Sequence, residues 1–331
     1  GLPVASGALI NMTLANINFP ANTTSLNFWT TVPNGTTDDD VSNDTLLIEI
    51  CPGLSGTYTV GTAFADYPTA AEAIHALVTC GINGPVTMNF HPQTYTGSWT
   101  IGEIPGASAM NTVTLDGQGA TITHNGAGAN TDATIVLDGV DYLTIKNFTI
   151  QSTGASSAYG VLFTNSADHN ILEDNNITVA TGGLLINVVA VLASASYGAS
   201  VGSGTEGNNA NWNVIRNNEI SGGNSVILFE GGVGNFENVG NQIIGNDIHS
   251  GRNYGIFADE QDSFVVSGNK IHDIVATTSD AMVLNDVHHY AVLGNEINSK
   301  NQGIVIQGGI GDPVTFGLVA NNMVTSATGG D

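Results

Sequence analysis

The chain has 331 residues, with 29 Asp and Glu against 5 Lys and Arg, for a formal charge of −24. Its bases, Lys146, Arg216, Arg252, Lys270 and Lys300, form no cluster, so a nucleic acid or an anionic membrane surface is not the expected partner. No apolar run reaches the ~18 residues that a membrane-spanning helix needs, while 41% hydrophobic residues are enough to bury a core. In place of charge stand 37 Asn and 42 Gly, a bias toward β-rich repeats rather than helices.

Residues 1–50 alternate in the manner of β-strands over Ala8–Ile17, Ser25–Val32 and Thr45–Ile50. The turn 33-PNGTTDDDVSND-44 gathers Asp38, Asp39, Asp40 and Asp44, dense oxygen ligands for Ca²⁺ but without EF-hand spacing. This stretch resembles the closing strands of the Ig-like, adhesion-type domains of secreted bacterial surface proteins, with fewer strands than a full sandwich. Cys51 and Cys80 are the chain's two cysteines and are expected to pair. A disulfide closing their loop would stabilise the fold by roughly 3 kcal/mol and implies an oxidising, extracellular setting. Gly1 opens no signal peptide, so the sequence reads as a mature or excised segment.

Residues 51–110 carry one convincing helix, 69-TAAEAIHALVTC-80. Thr69 with Glu72 forms a capping box, and Ala70, Ala73, Ile74, Leu77 and Val78 make one apolar stripe that leaves His75 outside it. Two alternating strands follow in 85-PVTMNFHPQTYTGSWTI-101. The expectation is a short helix plugging the open end of a stack of strands.

From residue 111 the sequence repeats around an Asn-x-Ile motif. Anchors at Ile122, Ile150, Ile177, Ile220, Ile248, Ile271, Ile297 and Met323 are spaced 28, 27, 43, 28, 23, 26 and 26 residues apart. Asn stands two residues earlier at Asn175, Asn218, Asn246, Asn269, Asn295 and Asn321. A second apolar strand recurs upstream, as in 226-VILF-229 and 282-MVL-284, so each unit reads as strand, turn, strand, Asn corner. The 43-residue spacing marks an insertion near 180–210, whose apolar part, Leu184–Leu192, is suited to a strand.

Units such as 255-GIFADEQDSFVVSGNKIHD-273 and 303-GIVIQGGIGDPVTFGLVANNMVT-325 resemble the right-handed parallel β-helix repeat proteins of the pectate-lyase-like superfamily. The resemblance covers roughly 85–331 and implies an all-β right-handed solenoid, with an N-terminal capping helix preceded by Ig-like strands. It implies no single function, because lyases, hydrolases, epimerases, tailspikes and passive adhesins share these coils. Strands, cysteine-bearing cap and coils together look like a section of a large surface protein of the type IX secretion kind.

Measured back from the anchors, Glu260, Asp286 and Asp312 all fall at −11, Asp138, Asp259 and Asn285 at −12, and Asp141, Asp168, Asp262 and His288 at −9. Acids on successive coils allow three readings. One is a solvated turn. Another is a Ca²⁺ site built from Glu260, Asp286 and Asp312, with Asp38 and Asp40 as separate candidates. The third is a glycoside hydrolase using Glu260, Asp286, Asp259 and Asp262. The superfamily's polysaccharide lyases use Arg or Lys as base, which the scattered bases here do not provide. The polygalacturonase-type pattern is also incomplete, since Asn130-Thr131-Asp132 lacks partners and His288-His289 lacks flanking glycines. The leading expectation is a structural, adhesive, non-enzymatic module needing no cofactor. Its expected partners are neighbouring domains or subunits of the same surface protein, and cell-surface glycans. The segment 321-NNMVTSATGGD-331 carries no capping element, so the chain is expected to belong to something longer.

Overall fold

A computed structural model describes residues 25–29, 45–49, 51–126, 133–154, 158–180, 188–194, 210–232, 237–308 and 316–326. The chain divides into two compact units, Gly1–Gly53 and Leu54–Asp331. In the first, Ser25–Trp29 pairs antiparallel with Thr45–Glu49, from Ser25↔Glu49 to Trp29↔Thr45. The expected Ala8–Ile17 strand and the turn bearing Asp38, Asp39, Asp40 and Asp44 lie outside the described residues.

The second unit begins with the strand Leu54–Val60 and the helix Ala70–Cys80. Both halves of the capping box are made: the Glu72 amide donates to Thr69 Oγ1, and the Thr69 amide donates to Glu72 Oε2 at 3.1 Å. Ala70, Ala73, Ile74 and Leu77 are buried, whereas His75 is exposed. Cys51 and Cys80 are both disulfide-bonded and, being the chain's two cysteines, bond to each other.

Beyond the helix, the described residues form three parallel sheets that stack into a solenoid of about nine coils. One coil comprises Gln242–Ile244 on the first sheet, Asp247–His249 on the second and Tyr254–Asp262 on the third. The two-strand unit expected from sequence is thus corrected to three strands. Strands of three residues are too short to show a period, and the Asn motif spans two of them across a corner. In coil one, likewise, the two expected strands resolve into Ile82–Phe90, Thr94–Thr96 and Trp99–Gly102. Phe90 packs against Trp99 and Phe148 at ring spacings of 5.2 Å, filling the first coils with aromatic rings.

Two ladders of buried amides sew the coils together. At the corner between the first and second sheets, the backbone N–H of Asn246 donates to Asn269 Oδ1 at 2.9 Å, and that of Asn218 to Asn246 Oδ1 at 2.9 Å. Each side-chain amide in turn donates to a carbonyl of the preceding coil, Asn246 to Ile215 and Asn269 to Ile243, both at 2.8 Å. The series runs Asn175, Asn218, Asn246, Asn269, Asn295 and Asn322. The second ladder, Asn170, Asn213 and Asn241, precedes the first sheet and has no counterpart in the sequence reading.

The expected last anchor is corrected by one residue. Ile297 pairs with Val324 rather than Met323, and Asn322 rather than Asn321 joins the ladder. Asn321 instead fills the left-handed corner, φ 57°, which Asn147, Asp174, Asn217, Gly245, Gly268 and Gly294 occupy on other coils. Two adjacent Asn residues serve two different needs there. The glycine of the G-[IV] motif answers close approach: a Cβ on Gly255 would lie 2.5 Å from Ile271 Cγ2 and 2.7 Å from the Ala281 carbonyl oxygen.

The third sheet is apolar on both sides. Every residue of Ala158–Thr164, Val188–Ala193 and Ser225–Glu230 is buried. Val136, Leu162, Leu192, Leu228, Phe257 and Val283 form an apolar cluster of their own, separate from the interior core. Val188–Ala193 is the third-sheet strand of its coil, hydrogen-bonded between Ala158–Thr164 and Ser225–Glu230.

Candidate functional site

The third-sheet strands Tyr254–Asp262 and Asp280–His288 each bend sharply near their ends. Asp259 pairs with Asn285 and Gln261 with Val287; between them Glu260 (φ 49°) and Asp286 (φ 47°) take the left-handed conformation. A non-glycine residue there is uncommon, and here it turns the chain toward the first sheet. The bend places the two side chains over one another on consecutive coils.

As a result the carboxylates of Asp259, Glu260 and Asp286 converge, with one oxygen of each within 4.8 Å of the others. All three residues are half-buried. Burial is the largest influence on Glu260, followed by the charges of Asp286, Asp259 and Glu237; together they push its carboxyl up to about 7, against a small opposing pull from His288. Asn285 partly relieves the crowding, its amide donating to Asp259 Oδ1 at 2.6 Å and to Asp286 Oδ2 at 3.1 Å.

The other expected residues fall around this centre or away from it. Asp262 stands in register with His288 but turns from the triad to His289, whose Nδ1 lies 2.7 Å from its Oδ1. His288 Nδ1 is 3.4 Å from Glu237 Oε1. Asp141 and Asp168 are on earlier coils, where Asp141 Oδ1 accepts the Asp168 amide at 2.8 Å. Burial raises the Asp141 carboxyl above its ordinary value, against the opposing hydrogen bond from the Asp168 amide, with the charges of Asp168 and Glu103 adding to the rise. Asp138 pairs with Thr164 at the same strand end several coils away. Asp312 and Asn130-Thr131-Asp132 lie outside the described residues.

Two residues at the site escaped the sequence reading. Glu230 pairs with Asp259 one coil earlier and is buried, and Glu237 faces His288. Offsets counted back from Ile248 miss Glu230 because a longer connection follows it on that coil. Aligning strand ends, 226-VILFE-230 against 255-GIFAD-259, would have found it.

Four of the bases are engaged elsewhere: Lys146 with Asp116, Arg216 with Glu173, Lys270 with Asp247, and Lys300 on the Val275 carbonyl. A cavity of about 600 Å³ lies at the opposite end of the solenoid, between the capping helix and coil one, lined by Tyr95, Trp99, Gln93 and His75 and by no carboxylate. Chemically, three crowded carboxylates offer a hard cation several oxygens, or offer a proton a site near neutrality.

A family model described as the right handed beta helix region matches residues 133–316. No curated protein matches the chain. Among solved structures, a pectin methylesterase from Aspergillus niger is 15% identical, with TM-score 0.50, over 84% of this chain and 87% of its own. Pectate lyase Pel9A is 12% identical at TM-score 0.47, over 83% and 78%. An alginate lyase from Paenibacillus sp. is 14% identical at TM-score 0.44, over 81% and 95%. At such identities the likeness is one of fold.

Proposed function

This chain belongs to the right-handed β-helix family, and we propose that it is a non-enzymatic module of an extracellular surface protein whose Asp259–Glu260–Asp286 turn binds a hard divalent cation of the Ca²⁺ type. The convergence of those carboxylates within 4.8 Å carries the reading. In the cluster the Asn285 amide donates to Asp259, and crowding pushes the Glu260 carboxyl up to about 7. A divalent ion supplies the missing charge to all three at once, with water completing a shell of six to eight oxygens. The disulfide and the −24 charge agree with an oxidising, salt-rich exterior. Neighbouring domains or subunits of one long surface protein, of the type IX secretion kind, and cell-surface glycans are the partners that fit.

The test is thermal unfolding of chelator-treated protein titrated with CaCl₂. Calcium at about one hundred times its dissociation constant raises stability by about 2.7 kcal/mol. Glu260→Gln and Asp286→Asn are expected to lose most of that gain, and a wild-type melting temperature indifferent to millimolar Ca²⁺ would overturn the reading.

A second reading rests on the Glu260 value itself. A carboxyl near 7 beside two further acids suits a general acid in glycan hydrolysis. Incubation with a panel of polysaccharides decides it: sugar release that Glu260→Gln abolishes sinks the non-enzymatic reading.

A further inference from the structure

The stack begins unevenly. On the first sheet the chain supplies a strand ahead of coil one, Leu54–Val60, which pairs in parallel with Ile82–Phe90 through Thr57↔Thr87 and Tyr58↔Met88. Among the described residues the other two sheets have no such strand and start at Thr94–Thr96 and Trp99–Gly102. The cavity of about 600 Å³ opens beside those two edges, with Ile74 and Val78 of the capping helix on its other side.

Hydrogen bonds fix which way the edge faces. The Gly97 amide donates to the Thr123 carbonyl at 3.0 Å, the Thr121 amide donates to the Gln93 carbonyl at 2.9 Å, and Tyr95 is in register with Ile122. Gln93, Tyr95 and Gly97 therefore bond to the next coil, and the backbone N–H and C=O of Thr94 and Thr96 point out of the stack. Among the described residues no backbone partner reaches them. The polar side chains at the cavity are held by the protein itself. Gln93 Nε2 donates to the Gly61 carbonyl at 2.6 Å, the Tyr95 hydroxyl to the Val60 carbonyl at 3.2 Å, and Ser98 Oγ to the Ala133 carbonyl at 2.6 Å. What remains for a ligand is edge main chain beside apolar surface, which suits an extended peptide better than a polar small molecule.

The edge also lacks the devices that keep sheet edges apart. Thr94–Thr96 and Trp99–Gly102 carry no charge and no proline, and their threonines favour strand pairing. Acids stand at the margins, Glu72 next to the lining Ala71 and Glu103 next to the lining Gly102, and no Lys or Arg lines the cavity. We propose that this half-built coil is a strand-addition site for a partner's extended peptide, with alternate apolar residues and Lys or Arg at both ends. Its main chain pairs in parallel with Thr94 and Thr96, as Leu54–Val60 already does with Ile82–Phe90 on the first sheet. An apolar side chain enters beside Ile74, Val78 and Trp99, and the basic ends meet the Glu72 and Glu103 margins. A second copy of this chain, itself at −24, is repelled.

The experiment is fluorescence anisotropy of a dye-labelled synthetic peptide, Lys-Lys-Thr-Val-Thr-Val-Thr-Lys-Lys, titrated with the full chain at physiological salt. Saturable micromolar binding is expected. The peptide N-methylated at alternate residues, which lacks the pairing N–H groups, should bind about tenfold more weakly, and so should the peptide with Glu in place of Lys. Thr96→Pro deletes an outward N–H at an edge where proline is tolerated, so it should melt like wild type and bind about tenfold more weakly. Thr96→Lys guards the same edge without altering the backbone and should weaken binding likewise. Glu260→Gln should bind the peptide as wild type does, so this site and the calcium reading stand or fall separately. No saturable binding by the wild type, equal binding of the N-methylated peptide, or Thr96 variants that match wild type within about threefold would overturn the proposal.

Discussion

The Asn ladder and the acidic turn are built by the same device, identical register on successive coils, with opposite results. Asn246 is buried at 1% exposure and fully satisfied, accepting from the Asn218 backbone N–H and donating to the Ile215 carbonyl. An amide carries both a donor and an acceptor, so a column of amides completes itself. Glu260 and Asp286 also stand on consecutive coils, with carboxylate oxygens within 4.8 Å, but carboxylates only accept. Their column draws on groups outside itself, such as the Asn285 amide or a proton on Glu260. Stacking thus lets a self-complementary side chain complete its own column, and makes a column of acceptors depend on other groups.

The severest way to break this contrast is to put a carboxylate into the amide ladder. Asn246→Asp turns a buried donor into an acceptor facing the Ile215 carbonyl and Asn269 Oδ1, with an expected loss of about 3 kcal/mol or more in urea unfolding. Asn246→Ala strands the same partners without adding charge and should lose about 1 to 3 kcal/mol. If both variants unfold like wild type, the ladder is ornament rather than structure. The converse change, Asp286→Asn, places an amide in the acidic column; in chelator-treated protein it should stabilise by up to about 1 kcal/mol. A loss of stability there would show that the acids are not crowded.

The mildest expected effect is in pH dependence. The folded state holds a proton on Glu260 up to about 7, while the unfolded chain releases it near the ordinary 4.5. Between those values the folded state binds more protons, so this group makes stability fall as pH rises and adds nothing further above the window. Metal-free Glu260→Gln should therefore gain on wild type in melting temperature from pH 4.5 to 7. A constant difference across that range would contradict the raised value.

Sequence reading reached the features that rest on local chemistry. Thr69 and Glu72 announce the helix start because a capping box needs only those two residues. The Asn-x-Ile register emerged because corner and interior impose it on every coil. What stayed hidden depends on neighbours in space. Asn321 and Asn322 are indistinguishable in one chain, and only pairing with Asn295 tells ladder from corner. Glu230 was lost to a change in connection length, and the doubly buried third sheet to a search for one apolar face. The Glu260–Asp286 pairing was legible because those two coils have turns of equal length.

The direction of the hydrogen bonds has a mechanical consequence. Strand partners lie on successive coils in all three sheets, so the bonds point along the stack. Tension along that direction loads one coil's bonds at a time and peels rather than shears. Each coil that lets go frees 28 residues between Ile220 and Ile248, or 23 between Ile248 and Ile271, about 80 to 95 Å of extended chain. A tethered solenoid of this build lengthens in discrete steps at modest force. The in-register amides mark where each freed length re-docks when the load is removed.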